Sequence, residues 1–193
     1  VISPLAVMAV VILIASMHMI APDHWMPLAA LTLKKKYSDS KVRALSAYIG
    51  MAHGVSSVIL SLAILYIGIA FIGSKYIRVA SVIILVLVSL YILINSIRES
   101  REAREIEETS LLVSAFPDPA FLPMAIIAYT YGTYFVISTG LIYVAASTIA
   151  LLAVVFLVNI GLLRKLSSLK PVTVDRIVVV VLLLTAAYIY FFG

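Results

Sequence analysis

The stretch SMHMIAPDHWMPL, Ser16 to Leu28, places two histidines, an aspartate and two prolines within the ten residues His18 to Pro27. Apolar sequence runs on both sides of it. Inside a bilayer an ionisable side chain and an interrupted hydrogen-bond ladder each cost free energy. The flanks decide whether this segment lies there.

The chain has 193 residues, is 64% hydrophobic and 12% charged, and has a mean hydropathy of +1.18. Apolar runs recur along its whole length: Ile2–Leu33, Ala44–Ile72, Ile77–Ile97, Ser110–Ala128, Tyr134–Leu163 and Val174–Phe192. A helix that crosses a hydrocarbon core about 30 Å thick needs roughly 20 apolar residues. The sequence thus predicts an all-α polytopic membrane protein with six transmembrane helices and the lipid bilayer as its surroundings. There is no cysteine, which excludes disulfide scaffolds, thiolate metal sites and dithiol relays.

Basic residues set the expected orientation. Lys34, Lys35, Lys36, Lys41 and Arg43 fill the first loop, Arg98, Arg101 and Arg104 the third, and Arg164, Lys165, Lys170 and Arg176 the fifth. Only Lys75 and Arg78 fall in the second loop. Loops one, three and five share a side, so twelve of the fourteen bases are expected in the cytoplasm, with both termini outside the cell membrane. The net charge of +5 then reflects orientation and contact with anionic headgroups, not nucleic acid.

Of nine acidic residues, seven fall in loops or at span ends, and only Asp23 and Asp118 lie inside apolar stretches, as do all three histidines, His18, His24 and His53. His24 is ten residues before Lys34, His53 ten after Arg43 and Asp118 ten after Glu108. At 1.5 Å per residue each lies about 15 Å below the cytoplasmic surface, near the midplane. Three spans then offer a ligand-type side chain at one level. His53 could alternatively hydrogen-bond between helices, and Asp118 could cap one.

On a straight helix His18 and His24 would point about 120° apart. Pro22 has no N–H to give the His18 carbonyl, and Pro27 none for Asp23. A break near Pro22 would shorten the first span and turn both imidazoles and the carboxylate inward. APDHWMPLA (Ala21–Ala29) is echoed by FPDPAFLPMA (Phe116–Ala125), and AYIGMAHGVSS (Ala47–Ser57) by AYTYGTYFVIS (Ala128–Ser138). Two inverted three-helix repeats follow as the expected design, residues 1–97 and 110–193, joined by a charged cytoplasmic connector at 98–109, with the first and fourth helices broken by proline. Gly50 and Gly54 form a GxxxG suited to close helix packing.

Imidazoles with carboxylates are borderline ligands, suited to Ni²⁺, Co²⁺, Zn²⁺, Cu²⁺ or Fe²⁺. The metal-ligating candidates are His18, Asp23, His24, His53 and Asp118. HMIAPDH, His18 to His24, resembles the His-x4-Asp-His signature of the nickel/cobalt transporter superfamily, and MAHGVSS is similar to that family's helix motif of histidine followed by small hydroxyl residues. FPDPAF is similar in place to its Phe-Asp motif, without the Thr and Glu that follow there. The resemblance implies the six-span permease and exporter branch, with the signature binding and moving the metal. The expected function is a secondary transporter of a divalent transition-metal ion, Ni²⁺ or Co²⁺ first, by alternating access and without a resident cofactor. The alternative is a proton-coupled exporter of a small organic or inorganic anion, with His and Asp as proton relay. No HExxH helix is present, and an enzyme is not expected.

Overall fold

The computed structural model describes residues 3–21, 24–26, 28–29, 36–72, 79, 82–84, 86–87, 89–91, 93–94, 117, 119–160, 176, 179–180, 183–184, 186–187 and 190–191. Among them there is no strand, and the fold is all-α. Helix α1 is Pro4–Ile20, α2 is Asp39–Ile72, a 3-10 turn at Pro119–Phe121 leads into α3, Leu122–Tyr129, and α4 is Thr133–Asn159. The 98–109 connector lies outside the described residues.

Capping explains where the first two helices begin. The Ser3 hydroxyl accepts the Ala6 N–H at 3.2 Å, and Pro4, which has no N–H to satisfy, opens α1. The start of α2 is five residues earlier than the expected Ala44. The Ser38 hydroxyl accepts the Lys41 N–H at 3.4 Å, and the Ser38 carbonyl accepts the Val42 N–H at 3.0 Å. Lys41 and Arg43, read from the sequence as loop residues, therefore stand on the first turns of α2. Their long aliphatic stems can follow an apolar helix while the charges stay in the headgroup layer. The Lys41 ammonium also lies 4.0 Å from the centre of the Tyr37 ring, a cation–π contact.

Among the described residues two helices are long and apolar enough to cross a membrane, α2 over Asp39–Ile69 and α4 over Thr133–Asn159. Only 28% of the most apolar window of each is buried within the protein, and Ile59, Ile67, Leu141 and Ile149 face outward. A helix apolar on its outer as well as its inner face suits lipid, whereas the core helix of a water-soluble protein is covered. At 1.5 Å per residue, α1 is about 25 Å long and Pro119–Tyr129 about 16 Å, so neither crosses the core unaided.

Helix α4 holds the assembly together. It lies along both α1 and α2, and the Pro119–Tyr129 segment touches all three. Its contacts with α2 fix their direction. Gly50 faces Thr148, Gly54 faces Val144, and Gly140 faces Val58, so numbers rise on one helix as they fall on the other. The two run antiparallel. A Cβ at Gly50 would stand 2.9 Å from the Thr148 Cα, and one at Gly54 3.0 Å from the Val144 Cα. The GxxxG is where the two backbones meet.

Among the described residues the buried apolar side chains gather in two clusters. One joins Val7, Val11, Ile14 and Ala15 of α1 to Leu65 of α2, the Phe121–Ala128 segment, and Val136 and Tyr143 of α4. The other joins Met19, Trp25, Leu28 and Ala29 to Val42 and Ile49 of α2 and Leu151, Val154 and Val155 of α4. The order of these residues makes α1 parallel to α4 and antiparallel to α2. On both α1 and α2 the histidine falls between the clusters.

Candidate metal centre

The site begins at the end of α1. Pro22 cannot donate to the His18 carbonyl, and the helix stops at Ile20, with Ala21 in an extended conformation (ψ 133°). The Ala21 N–H takes the His18 carbonyl instead at 3.1 Å, one residue short of the α-helical partner. His24 is again helical, and its N–H bonds to the Ala21 carbonyl at 3.2 Å. The Ile20 carbonyl, left over by the break, accepts the Trp25 indole N–H at 2.9 Å. A buried carbonyl without a partner would cost about 1–3 kcal/mol, so this bond is what makes the break tolerable.

The break brings the imidazoles together. His18 from α1, His24 from beyond the break and His53 from α2 are all buried. Ring centres are 4.5 Å apart for His18–His24, 4.8 Å for His24–His53 and 5.3 Å for His18–His53. One ligating nitrogen from each lies within 4.8 Å of the other two. The Nε2 atoms of His18 and His24 are 3.1 Å apart.

That last distance suits either a proton or a metal. As a hydrogen bond it needs one Nε2 protonated and the other bare. Metal–imidazole bonds of about 2.0–2.1 Å put two donor nitrogens about 2.9 Å apart at a right angle and about 3.4 Å apart at the tetrahedral angle. The observed 3.1 Å falls between. Ligation by both Nε2 atoms requires both protons on Nδ1, a change of tautomer with no change of net charge. The 4.8 Å limit for the trio is wider than either value, so three-fold ligation asks for an inward swing of about an ångström. The Ser57 hydroxyl, one turn beyond His53, is 3.5 Å from its Nε2, a long contact that a closer ligand would outcompete.

The structure thus unites His18, His24 and His53 and does not extend to the other two candidates. Asp23 and Asp118 lie outside the described residues, as do Pro22 and Pro27. Ser56 and Thr130 bond to carbonyls of their own helical turns, His53 at 3.0 Å and Ile127 at 2.7 Å. Sequence reasoning missed the polar side chains of α4 that share the interior, Thr139, Tyr143 and Ser147, each with no exposed surface. Their i, i+4, i+8 spacing was the available signal, and it repeats in His53, Ser57 and Ser61 of α2. Comparison with protein-family models, with curated proteins and with solved structures found no match to this chain.

Proposed function

We propose that this chain is a six-span secondary transporter that carries a divalent transition-metal ion, Ni²⁺ or Co²⁺ first, through a midplane site built on His18, His24 and His53. The observation that carries the reading is the imidazole trio, three ligating nitrogens within 4.8 Å of one another inside a bundle with two membrane-length helices. Neutral imidazoles prefer borderline first-row metals over Mg²⁺ or Ca²⁺. Asp23, next to His24 in sequence, supplies the carboxylate that a dication calls for.

The remaining design is proposed on the same footing. Antiparallel α2 and α4, with α1 parallel to α4, agree with the alternating directions of spans one, two and five in a six-span chain. They also suit inverted three-helix repeats, in which corresponding helices of the two halves run in opposite directions. The break after Ile20 and the short Pro119–Tyr129 segment are the corresponding interrupted elements. With the His-x4-Asp-His stretch, these features favour membership of the nickel/cobalt transporter superfamily, with loops one, three and five cytoplasmic.

Calorimetric titration of the purified protein with Ni²⁺ and Co²⁺ tests the proposal. Wild type is expected to bind one ion per chain, and His24→Ala to bind at least about 100-fold more weakly, since a direct ligand matters more than the outer-shell partners worth 10–100-fold. Asp23→Asn is expected to weaken binding as well. Unchanged affinity in both variants rejects the metal reading, and transport that persists in chelator would favour anion export.

A further inference from the structure

The mechanism proposed above uses three imidazoles and leaves a second buried polar feature unexplained. The protein-facing stripe of α2 carries His53, Ser57 and Ser61, and that of α4 carries Thr139, Tyr143 and Ser147. All six are at most 1% exposed. The register set by Gly50 against Thr148, Gly54 against Val144 and Val58 against Gly140 interleaves them. Along the interface their order is Ser147, His53, Tyr143, Ser57, Thr139, Ser61, drawn alternately from the two helices. Each step is two residues of rise, about 3 Å, and the series spans about 15 Å.

Hydroxyls on transmembrane helices normally bond to a carbonyl of the preceding turn, as Thr139 does to Phe135 at 3.0 Å and Val136 at 2.9 Å. Ser61 and Ser147 do not. Both hydroxyls are fully buried and have no hydrogen-bond partner among the described residues. A buried hydroxyl left unsatisfied is unfavourable, and its position at both ends of a polar series calls for a visiting ligand.

A large aromatic side chain packs beside the middle of the series. Phe121, fully buried in the 3-10 turn, has its ring centre 5.1 Å from that of Tyr143. Beside Gly140, where an added Cβ would meet the Val58 Cγ1 at 3.1 Å, the Phe121 Cε1 and Cζ atoms lie at 3.8 Å. In the interleaved order this falls between His53 and Ser61.

We propose that the Ser147–Ser61 series is the path by which a hydrated divalent cation passes between the imidazole site and the membrane face at the C-terminal end of α2, and that the Phe121 ring is the barrier that closes it. Hydroxyl oxygens at about 3 Å intervals can replace hydration waters one at a time, and each holds a cation weakly enough to release it. The inference rests on the metal-transport reading and adds a route and a gate to it.

The absence of cysteine makes a direct test possible. Ser61→Cys and Ser147→Cys are introduced singly into the full chain, with Phe121 retained or replaced by Leu or Ala, and reconstituted in liposomes. The probe is methanethiosulfonate ethyltrimethylammonium, a cation that does not cross bilayers. Added at the face where α2 ends, it is expected to label Ser61→Cys whatever residue is at 121. Labelling of Ser147→Cys is expected to be at least tenfold faster with Phe121→Ala than with Phe121, with Phe121→Leu in between. The leucine variant keeps the test open should the alanine variant not fold. Failure to label either cysteine, or a Ser147→Cys rate indifferent to residue 121, overturns the route. Co²⁺ binding by the same proteins, read from visible absorption, separates the two ideas. Binding without the labelling pattern leaves the site and removes the path, and no binding in the parent removes the metal reading itself.

Discussion

Two proline-bearing segments interrupt the bundle, and they use the interruption differently. After Ile20 the chain breaks so that His24 can reach back to His18, and the spare carbonyl is taken by the Trp25 indole. At Pro119–Tyr129 the chain forms a short helix whose residues Ala120 to Ala128 are all buried, with Phe121 and Met124 packed into the core. One segment presents nitrogen donors, and the other presents hydrocarbon. Segments of similar sequence around a Pro-Asp pair thus differ in what their described residues bring to the interior, imidazole in one and hydrocarbon in the other. The residue after the aspartate, His24 in one and Pro119 in the other, marks the divergence.

Both segments lean on α4, and the largest expected effect comes from disturbing that support. Gly54→Leu would force α2 away from Val144 and is expected to cost about 3 kcal/mol, the upper part of the usual overpacking range. Thermal unfolding in detergent should fall by several degrees, and Co²⁺ affinity should fall with it because His53 is carried on the displaced helix. Undisturbed unfolding would mean that the close approach of the two backbones is not needed.

Met124→Ala separates the segments. It leaves a cavity in the Pro119–Tyr129 segment and is expected to cost about 2 kcal/mol, the low end for core methionines because lipid is itself apolar. Metal affinity should stay within about two-fold of wild type, as Met124 belongs to the apolar cluster that does not include Trp25. A large loss of binding would show that the two breaks are coupled. Trp25→Phe makes the converse and smallest change. It keeps the ring but frees the Ile20 carbonyl, at about 1 kcal/mol. Calorimetry should show metal affinity lowered several-fold, and an unchanged value would mean that the indole bond does not hold His24 in place.

The imidazole cluster was legible in the sequence because polar residues are rare enough in these spans for depth to align them. Counting from flanking charges placed His24 and His53 at one level, and Pro22 explained how His18 could join them. The start of α2 was less legible, since Lys41 and Arg43 look like loop residues until the Ser38 cap is seen. The inner face of α4 was hardest to read. Leu141 faces outward and Leu151 inward, yet both are apolar, because lipid and protein interior make the same demand of a side chain. Only the hydroxyls broke that uniformity, and a serine in a membrane helix is satisfied by its own turn too often for one residue to be informative.

The dependence on α4 has a consequence for biosynthesis. The three imidazoles all lie between residues 18 and 53 and so leave the ribosome well before Thr133–Asn159, the helix against which α1 and α2 are both laid. The nascent protein therefore carries its nitrogen donors on helices that have not yet found their common support. Any capture of metal before then would have to occur on a scaffold that is still incomplete, so synthesis of α4 sets the moment at which the support of the imidazole trio is whole.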